Sequence, residues 1–363
     1  MPALLGRAYD VAVVGGGVAG LSLARAAARA GASVVLFERG AGGPGGASAL
    51  PAALLNPWRG RKGDAHPDDL AGLATVRRWA SELATEGRES GAHLGGLLRI
   101  PGSARQARGW RERAASEPSL AWLEPGHVPP PYHAPFGALW VRDGGWLEPG
   151  RWLTALTASA TALGAEIRPG VAVARLSGGA GAAWRLFGAG GAVGAVGAVG
   201  APLATAATVV VAVGADAAPA ATVDGMELAW PAWIRTRGEV ITLEDGPAFE
   251  LPLAGGVYGA SLGDRAWIGG GHRPAGVEDP DAPENLREAF AWSLPGLASA
   301  RITGVWSGAR AKRGDARPWV DELAPRLWTF GAFAGRGYLC AASEAERWTT
   351  RWRDDAAGRS LGD

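Results

Sequence analysis

The sequence predicts an α/β chain, α+β in overall composition, in which a mostly parallel sheet carries an inserted mixed or antiparallel sheet. Three observations predict it. Residues 11–20, "VAVVGGGVAG", join an apolar run to an alanine- and leucine-rich stretch through a dense glycine turn. Two later apolar runs, "ATVVVAVGAD" (207–216) and "LWTFGAF" (327–333), reach a glycine in the same way, as a chain does when it returns to a sheet already begun. Between them lie short alternating segments bounded by turns, "GEVITL", "GGVYGAS" and "RAWIGGG", the pattern of antiparallel strands.

Taken in order, Tyr9 to Val14 has the valines and alanine of a strand buried on both faces. Residues 18–30 read as a helix, with Arg25 and Arg29 spaced to make a single polar edge. Gly31 stops that helix, and "SVVLFE" is a second buried strand ending in Glu38. Gly15, Gly17 and Gly20 therefore have dinucleotide-fingerprint spacing in the strand–turn–helix context the fingerprint requires. The first allows the tight turn, the second lets a pyrophosphate approach the backbone, and the third lets helix and strand pack closely. Exposed N–H groups at the helix start suit a diphosphate, and Glu38 can accept hydrogen bonds from ribose hydroxyls.

Beyond the fingerprint, "RGAGGPGGASAL" (39–50) is a glycine-rich connection able to lie against a ligand. "DDLAGLATVRRWASELATEG" reads as an amphipathic helix and "PGHVPPPYHAPFG" as a proline-rich loop. "EPGRWLTALTASATALGAEI" reads as a helix leading into the strand "VAVARL", with "AAWRLFG" its hairpin partner. The Ala-Val-Gly tract at 188–202 lacks turn chemistry and amphipathic period, and is read as a long mobile hairpin loop, with a glycine-rich binding loop as the other reading. "ENLREAFAWSL" is helical, "ITGVWSGARA" strand-like, and "GRG" turns the chain into a last helix, "YLCAASEAERWTTRW". The expected organisation is discontinuous. Residues 1–80, 145–225 and 300–363 form a cofactor-binding domain, and 81–144 and 226–299 a substrate domain.

A formal charge of +1 argues against a surface built to coat nucleic acid. One cysteine excludes an intrachain disulfide and a cysteine-rich metal site, and suits a reducing cytoplasm. The five histidines show no metal-ligand spacing, so no metal is expected. No window offers about eighteen consecutive apolar residues free of charge, so neither signal peptide nor membrane span is expected.

On these residues the chain resembles the D-amino-acid-oxidase-like group of FAD-dependent oxidoreductases, of glycine oxidase and sarcosine oxidase type. The likeness runs from about residue 9 to about residue 350. It is carried by "VVGGGVAGLSLARAAARAGASVVLFER", "GGASALPAALLNP", "DGGWLEPGRWLTAL", "GAEIRPGVAVARL", "VVVAVGAD", "RGEVITL", "WSGARAKRGDARP" and "FGAFAGRGYLCAASEAE", in the family's order. The resemblance implies a Rossmann-like FAD-binding domain with a mixed-sheet substrate domain over the flavin, and FAD rather than a diffusible NAD.

It also implies roles residue by residue. Gly15, Gly17, Gly20 and Glu38 match the FAD diphosphate and ribose contacts. Ser48 and Ala49 match the loop crossing the pyrophosphate towards the isoalloxazine, and Val173 the residue whose backbone meets the adenine. Arg39, Gly214, Gly335 and Gly337 complete the implied cofactor set. Arg310, in "SGAR", matches the arginine that pairs with the substrate carboxylate. Arg336, in "AGRGY", matches a second active-site arginine, and Tyr258, in "GGVYGAS", an active-site tyrosine. The bland reading leaves both arginines solvated or ion-paired at the surface and Tyr258 a plain strand residue.

Oxidation of an amine on a flavin needs a Cα–H held over N5 and a neutral amine, so orientation dominates. Arg310 offers planar bidentate recognition of a carboxylate. The helix after Gly337 would aim its positive end at the flavin's pyrimidine edge. Sarcosine-oxidase relatives attach FAD through a cysteine in the segment matching "VWSGARAK", and none stands here, so non-covalent FAD is expected. Cys340 reads as a packed core thiol. Asp216 stands where relatives often place an aromatic. Arg59, Arg61 and Lys62 are read either as facing the active-site entrance or as a solvated basic loop.

The implied function is oxidation of a C–N bond of a small amino acid or secondary amine, by hydride transfer to flavin N5. A second reading is FAD-dependent removal of a carboxymethyl group from a tRNA wobble uridine, so tRNA stays open as a partner. A third is a flavin-binding subunit without catalysis of its own.

Overall fold

Valine and alanine fill Ala8–Val14, and in the computed structural model this strand lies at the centre of a ten-stranded sheet. The structure describes residues 7–43, 45–179, 181–188, 201–315 and 317–360. Most of the 188–202 tract lies outside these residues. Five mutually parallel strands run in the order Glu166–Pro169, Val34–Glu38, Ala8–Val14, Ala204–Val211, Leu327–Gly331. Both expected returns of the chain are thus present. The first half of Ala204–Val211 also pairs antiparallel with Ala182–Gly188. That strand forms the expected hairpin with Val173–Gly179.

Among the described residues there are six helices: α1 (Val18–Arg29), α2 (Pro67–Thr85), α3 (Ala104–Ser116), α4 (Pro149–Ala162), α5 (Ala282–Ala291) and α6 (Gly337–Ser360). Helices α1, α2, α4 and α6 share one core with the parallel strands, including Leu23, Trp79, Leu156 and Trp348, all fully buried. The polar edge expected on α1 is turned inward at Arg25. Its guanidinium lies over the Trp79 ring and donates to Ser159 (3.0 Å), Glu82 (3.0 Å) and Glu86 (3.3 Å). A buried cation persists only with such partners. Helix α3 was not anticipated, because its four arginines mask an apolar face reduced to Ala107 and Trp110.

The second sheet has eight strands, in the order Arg301–Lys312, Ile234–Glu244, Arg265–Pro274, Tyr258–Leu262, Leu253–Ala254, Leu97–Arg99, Ala138–Val141, Leu120–Leu123. Helix α5 packs Leu286 and Phe290 against it. Arg301–Lys312, expected with the cofactor-binding segment 300–363, is the edge strand of this sheet. It pairs with Ile234–Glu244 along the strand's whole length, from Ile234↔Lys312 to Glu244↔Arg301. The ladder satisfies backbone groups on both strands, and that settles where the segment goes. Conversely Met226–Glu227, expected beyond the limit at 225, closes an edge of the first sheet. Among the described residues no helix is long and apolar enough to cross a membrane.

Candidate active site

A cavity of about 330 Å³ opens where Ala8–Val14, Val34–Glu38 and Ala204–Val211 reach their carboxyl ends. This is where open parallel sheets bind ligands. The glycine turn forms its floor. Gly15 has φ +109°, and a Cβ there would lie 2.5 Å from the Ala212 carbonyl oxygen. Gly17 lines the cavity beneath Ser48, while Gly20 does not reach it. A Cβ at Gly20 would instead overlap the Gly15 carbonyl oxygen, so its role is the close approach of α1 to the turn.

Glu38 lines the cavity and ties its walls together. One carboxylate oxygen accepts from the Gly16 N–H (2.6 Å), the other from the Gly40 N–H (2.7 Å). Ser48, on the 3₁₀ turn Gly46–Ala49, accepts from the Val18 N–H at 3.0 Å, the first residue of α1. Its carbonyl accepts from the Tyr338 hydroxyl at 2.6 Å. Tyr338 was not foreseen: it stands between Gly337 and Leu339 at the start of α6, where the sequence suggests only core. Ala49 sits on the same turn but does not line the cavity. Val173 and Gly214 both do. Arg39 and Asp216 also line it and form an ion pair of 2.7 Å between the ends of two parallel strands.

Arg310 enters the same cavity from the second sheet. It is half-buried, and Nη2 donates to the Gly271 carbonyl at 2.6 Å. Burial lowers its pKa from the usual guanidinium value, opposed by Tyr258 and Glu239. Tyr258 does not line the cavity. Burial pushes its phenol up to about 12 against the pull of Arg310, so it remains an O–H donor at neutral pH. His272, which does not line the cavity, has its pKa lowered by burial and by the positive charges of Arg310 and Lys312.

Arg336 is placed differently from expectation. It is buried, does not line the cavity, and pairs with the fully buried Asp69 at 3.0 Å. Arg59 takes the other Asp69 oxygen at 2.8 Å through Nε, so this loop residue also ends on the N-terminal turn of α2. A buried carboxylate draws cations to itself, which explains both placements. Cys340 is the packed thiol expected: its Sγ lies 3.4 Å from Asp69, and burial, with that carboxylate beside it, pushes its pKa up. Arg61 and Lys62 are exposed. Gly335 lies against Arg310, its open position 3.5 Å from Nη1, and does not line the cavity. Gly337 does line it and begins α6, whose positive end therefore meets the cavity. Ala332 (φ +53°) and Ala334 (φ +54°) also line it, in left-handed conformations that strain an alanine.

These residues fit a dinucleotide. Gly15 and Gly17 bring side-chain-free backbone to the cavity lining, two helix N-termini meet one cavity, and an acid closes the second strand. Glu38→Ala is expected to weaken FAD binding by on the order of 1.5–3 kcal/mol, the size of a charge-assisted hydrogen bond. Titration of apoprotein with FAD checks it, and unchanged affinity would mean that Glu38 serves the turn alone.

Comparison with known proteins agrees with this geometry. The DAO family, described as FAD dependent oxidoreductase, matches residues 10–350. The chain is 29% identical over 338 residues to the tRNA 5-methylaminomethyl-2-thiouridine biosynthesis bifunctional protein MnmC of Maricaulis maris, covering 93% of this chain and 50% of that protein. It thus spans half the length of that relative. It is 28% identical over 324 residues to glycine oxidase of Bacillus licheniformis, covering 86% of this chain and 84% of that one. The solved glycine oxidase from Geobacillus kaustophilus matches with a TM-score of 0.77 at 23% identity, over 95% of each chain, and shares the fold.

Proposed function

The chain belongs to the DAO family of FAD dependent oxidoreductases, and from that premise we propose that it oxidises the C–N bond of a small amino acid or carboxylate-bearing secondary amine. FAD, when bound, supplies the hydride acceptor at flavin N5. The observation that carries the reading is Arg310, a half-buried guanidinium in the wall of the cavity that also holds Gly15, Gly17 and Glu38. A planar fork in that position orients a carboxylate and with it the adjacent Cα–H. Tyr258 stays protonated, and so uncharged, beside Arg310 but outside the cavity lining. Ser48 and Tyr338 hold the loop beside α1, and the N-terminus of α6 favours negative charge at the cavity. The amine must bind neutral, so the chain needs to orient it more than to deprotonate it.

Small amino acids and N-substituted glycines, screened with an artificial electron acceptor, test the reading. The expected product is a 2-oxo acid formed in step with acceptor reduced. Turnover confined to amines without a carboxylate would overturn it. With the only cysteine, Cys340, buried beside Asp69, acid precipitation of the yellow protein is expected to release FAD into the supernatant. Flavin retained in the pellet would contradict non-covalent binding.

A second reading draws on the Maricaulis maris relative: removal of a carboxymethyl group from a tRNA base, with Arg310 holding the same carboxylate. The charge of +1 disfavours it, since phosphate contacts need many cations. Salt-sensitive binding of tRNA, with flavin reduction by a carboxymethylaminomethyl-modified tRNA, would favour it over the first.

A further inference from the structure

We propose that Gly238 is a specificity-determining position. It forms the floor of a slot that fixes the Arg310 guanidinium, and so acts on substrate through Arg310. The inference rests on the carboxylate reading given above and extends it to a residue with no polar side chain.

The register places the parts. Thr236 pairs with Arg310 and Gly238 with Gly308, so Gly238 and Arg310 project from one face of the sheet, one step apart on adjacent strands. A Cβ at Gly238 would overlap Arg310 Nη2 and lie 3.0 Å from Cζ. The guanidinium therefore brings its Nη2 end against bare backbone. On the other side of Gly238 the pairing jumps from Glu239↔Gly270 to Arg237↔Arg273, which leaves Gly271 and His272 as a bulge. Bulges next to sites re-aim groups, and this one turns the Gly271 carbonyl onto Nη2. Gly271 has φ +84°, a conformation that glycine adopts without strain.

The arrangement repeats on the same face. A Cβ at Gly269 would overlap the Tyr258 ring, and one at Gly308 would lie 2.5 Å from Trp306 Cζ2. Tyr258 and Arg310 are both laid down on glycine, and the guanidinium lies close enough to pull against the burial that raises the Tyr258 phenol. The slot commits one of the five guanidinium donors to Gly271 and sets the plane of the others. A free arginine side chain would lose that orientation on binding and regain it only at an entropic cost.

Alanine at 238 collides chiefly with the far end of a flexible side chain. It also meets the Gly270 carbonyl oxygen, a backbone atom, at 2.8 Å, so the Arg310→Ala background is needed to separate a shift of that strand from expulsion of the guanidinium. Gly304→Ala adds the same methyl to the same face of Arg301–Lys312, where it meets Thr242 at an ordinary 3.5 Å. The experiment titrates FAD-loaded protein with glycolate, a carboxylate with no oxidisable amine, and reads the flavin absorption change.

Gly238→Ala is expected to retain FAD and bind glycolate about tenfold or more weakly, and Gly304→Ala to behave as wild type. In an Arg310→Ala background Gly238→Ala should add nothing, because it acts only through that guanidinium. A crystal structure of FAD-loaded Gly238→Ala should show Nη2 off the Gly271 carbonyl. Equal glycolate affinity in wild type and Gly238→Ala would overturn the slot and leave the carboxylate reading standing. So would an undisplaced guanidinium, or an equal loss without Arg310. A wild-type protein that loads FAD but ignores glycolate would overturn the carboxylate reading, and this inference with it.

Discussion

Arg310→Ala is expected to leave the flavin spectrum intact and to lower kcat/KM for the carboxylate-bearing substrate at least about thirtyfold. Removing one partner of a desolvated charge pair costs about 2–5 kcal/mol, which sets that figure. Arg310 lines the cavity from the second sheet, while Gly15, Gly17 and Glu38 line it from the first, so cofactor and carboxylate recognition should separate. Arg310→Lys should also be impaired, because a point charge does not reproduce a planar fork. A decarboxylated analogue should lose far less on mutation, since it never used the guanidinium. Equal losses on both substrates would assign Arg310 to fold or flavin. No loss on either would return it to a merely half-buried surface residue.

Gly20→Ala is expected to abolish retention of FAD and to destabilise the fold by about 3 kcal/mol, the upper end of typical overpacking effects. The added methyl meets the Gly15 carbonyl oxygen, which is backbone and cannot swing aside, with Val13 Cγ1 3.3 Å away. Relief requires moving α1 off Ala8–Val14, which spoils the turn that Gly15 makes at φ +109°. Thermal melting and flavin content after purification measure both effects. A variant that melts as wild type and stays yellow would show that α1 has room to move.

How far the sequence reached depended on whether a feature was local. The turn at 15–20 and the acid at Glu38 were legible because the spacing of glycines, valines and helix formers carries the whole geometry. The parallel order was legible from the buried runs at 207–216 and 327–333. Arg301–Lys312 was grouped with the cofactor-binding segment 300–363 because "ITGVWSGARA" states that it is a strand but not which ladder completes it. Arg310 was found only through the likeness of "SGAR" to a family motif. The glycines beneath it and beneath Tyr258 were missed, since a close approach between strands leaves no mark in either strand alone. Arg336 illustrates the converse. "AGRGY" suggested an active-site arginine, but Asp69, fully buried and 267 positions earlier, claims it. No spacing rule connects residues so far apart, and a buried carboxylate outcompetes a cavity for a guanidinium.

Anaerobic mixing of FAD-loaded protein with small amino acids and N-substituted glycines, beside their decarboxylated amines, most directly tests oxidation of a carboxylate-bearing amine. The expected result is bleaching of the flavin by at least one carboxylate-bearing compound and far slower bleaching by its decarboxylated counterpart. A flavin that dithionite reduces but none of these compounds does would contradict it.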